Sequence, residues 1–316
     1  MKAQKPKIAI VGCGNVGSTF AFALSASGVA REITLVDTNQ ERAKGESMDL
    51  NHGASFIKPV LISHSDYEGC QGADIVVITA GVGQKPGQSR LDLVENNISI
   101  FKEMIPAITK YSKDAILLVV SNPMDILTYV TQKISGLPKN RVMGSGTVLD
   151  SSRFRFLIGK HCNVDPRNVH AYIIGEHGDT ELAVWSHASI AGMILKEYCP
   201  LCNSKCNYHM ELDNIFNQVK NAAYEIINTK GATSYAIALA LVRIVEAIIR
   251  DENSVLPIST YIEDYYGIKD ICLSIPSIIN KEGVKKVLRL DLSKDEQAQL
   301  ISSAGVLKDI IKKANI

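Results

Sequence analysis

The chain has 316 residues, 46% hydrophobic and 21% charged, with a formal net charge of +1. That length supplies ample material for buried cores and, as a working division, two domains. The near-neutral balance excludes a global field that would gather nucleic acid or an anionic membrane, so any anion must be held locally.

The chain starts MKAQKPK and runs into IAIVGCGNVGSTFAFALSASGVA, which superficially imitates a secretory leader with its basic start and apolar middle. Glycines 12, 14 and 17 interrupt that apolar region, and a phosphate-binding loop accounts for the segment better. The expectation is a protein that is not exported and that works in the cytoplasm. Seven cysteines, an odd number, fit the same reducing compartment.

The first half alternates short apolar runs with amphipathic segments. Strands are predicted at Lys7 to Val11, Glu32 to Val36, weakly at Val60 to Ile62, at Ile75 to Thr79, Ala115 to Val120 and Arg141 to Gly144. Continuous apolar strands separated by helices indicate a parallel sheet covered on both faces, the doubly wound α/β class. Gly12-Cys13-Gly14-Asn15-Val16-Gly17 directly follows the first strand and opens a helix, the context that makes a G-x-G-x-x-G match informative. The first glycine permits a tight turn, the second admits a pyrophosphate to the backbone, and the third lets helix and strand pack closely. Free N–H groups at the helix start would face the phosphates. Asp37 ends the second strand, placed for ribose hydroxyls; its charge would repel a 2′-phosphate, which favours NAD over NADP. The alternative is a glycine-rich turn with Asp37 as an ordinary strand-end residue. Cys13 reads as a small buried residue rather than a nucleophile.

The loop AGVGQKPGQSR, residues 80–90, follows the fourth strand and precedes a predicted helix. Turn formers alone would make a connection; Gln84, Lys85, Gln88 and Arg90 suggest a loop that touches a ligand.

Beyond about Thr147 the order changes. Helices are predicted at Ser151 to His161, Leu212 to Lys230, Ser234 to Arg250 and Lys294 to Lys313, around strands near Val169 to Gly175, Val255 to Tyr261 and Asp270 to Ile275. The expected division is a dinucleotide-binding Rossmann domain over residues 1–146 and an α+β substrate domain over 147–316, meeting at a packed junction with a binding crevice. The apolar stretch Tyr235 to Ile249 is broken by Arg243 and Glu246 and is too short for roughly 30 Å of hydrocarbon, so no membrane span is expected.

A nicotinamide enzyme acting on an alcohol or carbonyl needs a group that exchanges a proton, and histidine suits that at neutral pH. Of seven histidines, His177 stands between glycines in IIGEHGDT, where an apolar strand runs into a turn. A lone histidine in a turn is more often structural, and that reading stays open on local grounds. In VLDSSRFR, Asp150 and Arg153 are three apart at a helix start and share a face, while Arg155 points elsewhere. A guanidinium can grip a carboxylate with two parallel bonds, and a carboxylate can hold an imidazolium in one tautomer. The bland alternative is a surface ion pair. Cys199, Cys202, Cys206 and His209 are either a compact zinc or redox cluster or a surface turn with free thiols, the latter being favoured, so no metal is expected.

The motifs GCGNVG, ITLVD, TAGVGQKPGQSR, VSNPMD, GSGTVLDSSRFR, YIIGEHGDT and KGAT, in this order, resemble the L-lactate/malate dehydrogenase family along nearly the whole chain. The resemblance implies NADH-dependent reduction of pyruvate to L-lactate, with malate or another L-2-hydroxyacid as the alternative substrate. It implies His177 as proton donor, Asp150 as its orienting carboxylate and Arg153 as the clamp on the substrate carboxylate. Asn122 would add polar contacts, Thr233 would lie near the substrate methyl group and Ile237 near the nicotinamide. Gly12, Gly14, Asn15, Val16, Gly17, Asp37, Thr79, Ala80, Gly81, Asn122 and Ile237 would line the cofactor. The loop after the fourth strand would be a lid bringing Arg90 onto the carbonyl, with Gln84 selecting pyruvate where malate dehydrogenases carry arginine. Arg155 and His170, from two subunits of a homotetramer, would bind fructose 1,6-bisphosphate as an activator.

Overall fold

The computed structural model describes residues 6–83, 90–198 and 208–314. In chain order the first half runs β1 (Lys7–Val11), α1 (Asn15–Ser27), β2 (Glu32–Val36), α2 (Gln40–His52), β3 (Leu61–Ser65), β4 (Ile75–Ile78), α3 (Arg90–Tyr111), β5 (Ile116–Val119), α4 (Met124–Ile134) and β6 (Val142–Gly144). The second half begins with α5 (Val148–Cys162), followed by the short strands β7 (Val169–His170), β8 (Ile173–Ile174), β9 (Leu182–Ala183), β10 (Ser189–Ile190) and β11 (Met193–Ile194). It ends with α6 (Leu195–Tyr198), α7 (Tyr208–Lys230), α8 (Tyr235–Ile249), β12 (Ser254–Ile262), β13 (Ile271–Asn280), β14 (Gly283–Val287) and α9 (Lys294–Lys313).

The strands β3-β2-β1-β4-β5-β6 lie side by side and parallel, the doubly wound order whose direction reverses between β1 and β4. Alternate residues show why these strands read as unbroken apolar runs. Ala9 and Val11 enter the core on one face and Ile8 and Ile10 the core on the other; Val76 and Ile78 are likewise opposed to Ile75 and Val77. Each such buried aliphatic side chain contributes about 1.5–3 kcal/mol of transfer free energy. The weak third strand is displaced to Leu61–Ser65, where Leu61, Ser63 and His64 are exposed because β3 forms the sheet edge.

The same sheet continues into the second half: β12 pairs antiparallel with β6 through Ser259 and Gly144, and β13 and β14 follow. The predicted strand ending at Ile275 runs on to Asn280, with Pro276 opposite Pro257 of β12. Proline reads as a breaker in sequence, yet here two prolines face each other. The strand β14 carries little sequence signal, since of GVKKV only Gly283 is buried. The expected single strand from Val169 to Gly175 is instead two, because the chain changes partners within it. His170 pairs with Ser189 of β10, whereas Ile173 pairs with Ala183 of β9, and between them the carbonyl oxygens of Ala171 and Tyr172 accept from Arg155 and the Val184 N–H. A third core, around Phe154 packed edge-on to Trp185 at 4.6 Å, supports this region. Among the described residues no helix is long and apolar enough to cross a membrane.

Candidate active site

The crevice at the β1/β4 reversal is built by glycine. Gly12 holds φ +103°, and a Cβ there would sit 2.5 Å from the Ala80 nitrogen, so the loop after β1 and the end of β4 are in contact. The Thr79 hydroxyl donates to the Gly12 carbonyl at 2.8 Å, fixing that contact. A Cβ on Gly17 would lie 1.9 Å from the Gly12 carbonyl oxygen, which is why α1 can approach the loop only with glycine there. Gly14, the N-cap of α1, has open space where its Cβ would be and no side-chain cap, and the first turn of α1 carries no acid. Open space at one glycine beside closed packing at the other two fits a phosphate group lying on the helix start.

Asp37 sits just past β2, its carboxylate accepting from the Cys13 N–H at 2.6 Å and the Asn39 N–H at 2.8 Å. Each oxygen retains a lone pair for a further donor, so the same carboxylate can hold the loop and accept from ribose hydroxyls. These residues fit a dinucleotide with an unphosphorylated ribose. The Cys13 thiol is buried, and that burial, reinforced by Asp37, pushes it up to about 12; as a thiol it is inert packing.

The second cluster is assembled at the start of α5. That helix begins at Val148, earlier than predicted, which puts Asp150 in its first turn. The Thr147 hydroxyl donates to the Ile173 carbonyl at 2.5 Å, and the Ile173 N–H donates to Ser151 Oγ at 2.9 Å. These two bonds stitch α5 to β8, and the chain leaving β8 turns back through Gly175, at φ +96°, to carry His177 over Asp150. His177 Nδ1 donates to Asp150 Oδ2 at 2.6 Å while Arg153 donates to Asp150 Oδ1 at 2.8 Å. Asp150 is 3% exposed at its side chain, so the pair with Arg153 is a buried contact and not the surface ion pair that spacing alone allows.

Asp150, Arg153, His177 and Asn122 line one cavity of about 360 Å³, closed on the far side by α7, whose Val219, Lys220, Ala223 and Ile227 recur at helical spacing on one face. Burial would lower the His177 pKa, but the Asp150 carboxylate, by charge and hydrogen bond, overrides it and raises the ring to about 9. Burial likewise pushes the Asp150 carboxyl up, and the His177 ring and Arg153 guanidinium more than reverse that, holding it below the ordinary carboxylate value. The imidazole therefore carries a proton through neutral pH with its Nε2 side free of Asp150. Such a group can give a proton to an oxygen in the cavity.

Three contributors had not been singled out in the sequence. Asp125, buried in α4, accepts from the His177 backbone N–H at 2.7 Å and the Ser259 hydroxyl at 2.6 Å; burial raises its pKa to about 6 against those hydrogen bonds. It ties the histidine's backbone to the main sheet. Asn97 of α3, fully buried, bonds both Val82 backbone groups and the Asn122 carbonyl, bracing the segment that follows Gly81. Glu181 lines the cavity, and burial, then the Asp150 charge, lifts it to about 8.

Other expected residues fall elsewhere. Gln84 lies outside the described residues, and of Arg90 only the helical backbone opening α3 is described. Thr233 and Ile237, before and within α8, are half-buried and not among the residues lining the cavity; Ile237 packs on the core shared with α1. Asn15 is exposed and Val16 half-buried at the start of α1. Arg155 turns away from the cavity, donating to the Ala171 carbonyl at 2.9 Å and lying over the Tyr172 ring, with His170 exposed nearby on β7. Cys199, Cys202 and Cys206 lie outside the described residues, and His209 is in the first turn of α7.

Comparison with known proteins bears on both clusters. Residues 6–144 match the lactate/malate dehydrogenase NAD-binding domain and residues 147–315 the lactate/malate dehydrogenase α/β C-terminal domain. The chain is 55% identical to an L-lactate dehydrogenase of Acetivibrio thermocellus, with 98% of each chain covered, and 54% identical to one from Thermoanaerobacterium saccharolyticum, with 98% of this chain and 99% of that one covered. A crystal structure of the ligand-bound minor L-lactate dehydrogenase of Enterococcus mundtii superposes with a TM-score of 0.94 at 44% identity, covering 98% of both chains. With two matched domains and full-length relatives above half identity, the chain belongs to the lactate/malate dehydrogenase family.

Proposed function

We infer that the chain catalyses the reversible NADH-dependent reduction of pyruvate to L-lactate. The observation that carries this is a protonated imidazole, paired with a buried carboxylate and beside a guanidinium, in one cavity on the side of the sheet where the glycine loop opens. NADH bound along Gly12, Gly14, Gly17 and Asp37 supplies the hydride. In this reading Thr79, Ala80 and Gly81 border the cofactor, Asn122 stands between it and the substrate, and Thr233 and Ile237, which do not line the cavity in this structure, would lie near the substrate methyl group and the nicotinamide.

Arg153 has five N–H donors, of which one reaches Asp150. The rest can take the substrate carboxylate as a fork, which fixes the keto group relative to His177. As the carbonyl oxygen gains negative charge it takes the proton from His177 Nε2, while Asp150 holds the ring's other nitrogen and keeps the tautomer fixed. Asp125 holds the backbone beneath. Arg90, delivered by the loop before α3, would stabilise the developing oxyanion, and closure of that loop would exclude water. Gln84 in the same loop gives no cation for a second carboxylate, so oxaloacetate would bury an unpaired charge.

The reading extends to regulation and assembly. Arg155 and His170 would bind fructose 1,6-bisphosphate between subunits of a homotetramer, Arg155 exchanging its bond to Ala171 for a phosphate oxygen. The odd cysteine count is consistent with a cytoplasmic enzyme. Initial rates of NADH oxidation test substrate and effector together. The expected kcat/KM for pyruvate exceeds that for oxaloacetate by roughly 10²-fold or more, and the bisphosphate lowers KM for pyruvate. Oxaloacetate preference would contradict the role of Gln84. Indifference to the bisphosphate in the wild type would remove Arg155 and His170 from regulation.

A further inference from the structure

Among the described residues, one group of side chains offers ligand atoms suited to a metal ion. A carboxylate oxygen of Asp150, a ring nitrogen of His177 and a carboxylate oxygen of Glu181 all lie within 4.8 Å of one another. Glu181 is the unexplained member. It is 7% exposed, and its Oε1 is buried with no hydrogen-bond partner among the described residues. Leaving a buried acceptor unmatched is costly, so such an atom in a cavity wall points to a group that completes it. The reduction of pyruvate assigns Glu181 nothing, since Asp150 already holds both the ring and the guanidinium.

We propose that Asp150, His177 and Glu181 form an inhibitory site for a first-row divalent cation, with zinc the best match, overlapping the place where pyruvate binds. One imidazole nitrogen and two carboxylate oxygens are a borderline donor set, which suits zinc better than magnesium or calcium; those ions prefer more oxygens and, for magnesium, retained waters. Zinc bonds of about 2.0–2.2 Å in a tetrahedron set the ligand atoms roughly 3.4 Å apart. The ligand atoms already lie within 4.8 Å of one another, so small side-chain rotations bring them to that spacing, and the fourth position opens to the cavity. The imidazolium and the Glu181 carboxyl, which burial lifts to about 8, both give their protons to solvent as the cation enters, and no redox step is involved. The Arg153 guanidinium beside Asp150 opposes the cation, so the site is weaker than a four-ligand structural one. A cation there displaces the proton that the carbonyl would receive and occupies the carboxylate that aligns the ring, so it excludes productive pyruvate without touching the glycine loop. Competition with pyruvate rests on the functional reading above; binding of the cation does not.

The experiment uses the full-length protein with cobalt(II) as a spectroscopic probe of binding and zinc as the inhibitor. The expected result is a visible d–d spectrum characteristic of low-coordinate cobalt, lost in Glu181→Gln, and zinc inhibition of NADH oxidation that pyruvate relieves. In Glu181→Gln the zinc inhibition constant rises about tenfold or more, measured against that variant's own zinc-free rate, while the NADH dissociation constant, which reports a folded protein, stays put. If that variant does not bind NADH, Glu181→Asp, which draws the carboxylate back by one methylene, serves for the same comparison. Replacing Cys199, Cys202 and Cys206 together by serine leaves the constant unchanged. Zinc inhibition indifferent to pyruvate, unaltered in the Glu181 variant, abolished in the cysteine variant, or absent at about 1 mM zinc would each overturn the proposal. A chain that binds cobalt at Glu181 but does not reduce pyruvate would keep the site and remove the functional reading.

Discussion

Asp150→Asn lowers kcat/KM for pyruvate by between about 10² and 10⁴-fold, the range that general acid catalysis supplies, while NADH binding measured by fluorescence titration is unchanged. The carboxylate is buried and makes two short contacts, to His177 Nδ1 at 2.6 Å and to Arg153 at 2.8 Å. Asparagine keeps the shape but removes the charge that holds the ring near pKa 9, so the imidazole returns toward its ordinary value of about 6.5 and is neutral at pH 7.5. An amide can also present its N–H₂ to Nδ1, which leaves a neutral ring whose single proton, on Nε2, can be given up only by forming an unfavourable imidazolate. Arg153 loses its ionic partner at the same time, so part of the loss falls on KM. A loss below about fivefold would mean that the pair is structural.

Arg153→Lys raises KM for pyruvate by roughly 10 to 150-fold, the equivalent of one charge-assisted hydrogen bond of about 1.5–3 kcal/mol, and leaves the NADH dissociation constant within about twofold. Lysine keeps the charge but has no planar fork, so it cannot give two parallel bonds to a carboxylate. It also sits on a helix position where the guanidinium presently spans Asp150 and the cavity. Equal loss of NADH and pyruvate binding would instead show that the substitution disturbs α5 as a whole.

How much of this was visible in sequence depends on range. The glycine loop, Asp37 and the positions of the first-half strands are written locally, because the phosphate loop needs its glycines within six residues and the buried strands need both faces apolar. The Asp150 and Arg153 spacing showed a shared helix face but not its burial, which is set when β8 docks on α5 through Thr147 and Ser151. Asp125 could have been noticed as an acid inside the otherwise apolar helix start MDILTYV, and Glu181 as an acid opening the buried run Leu182 to Val184. Neither pattern says what the carboxylate faces. Asp125 meets His177 across 52 residues of sequence, and only the packed chain makes that neighbourhood. The split of β7 from β8 was hidden for a related reason: period and composition are continuous through HAYII, and it is the exchange of partner strands that breaks the element.

Asp150 keeps His177 protonated through neutral pH, which is what lets the ring donate to the substrate. A group whose folded pKa is raised to about 9 is charged below that value and loses its proton as pH rises through it. Pyruvate reduction needs the charged ring and lactate oxidation the neutral one. The most direct test is the pH dependence of kcat/KM for pyruvate between about pH 6 and 10. The expected result is a plateau through pH 8 and a fall centred near 9, with lactate oxidation rising over the same interval. A fall centred near 6.5, the ordinary histidine value, would contradict it and leave the His177–Asp150 contact without a part in proton transfer.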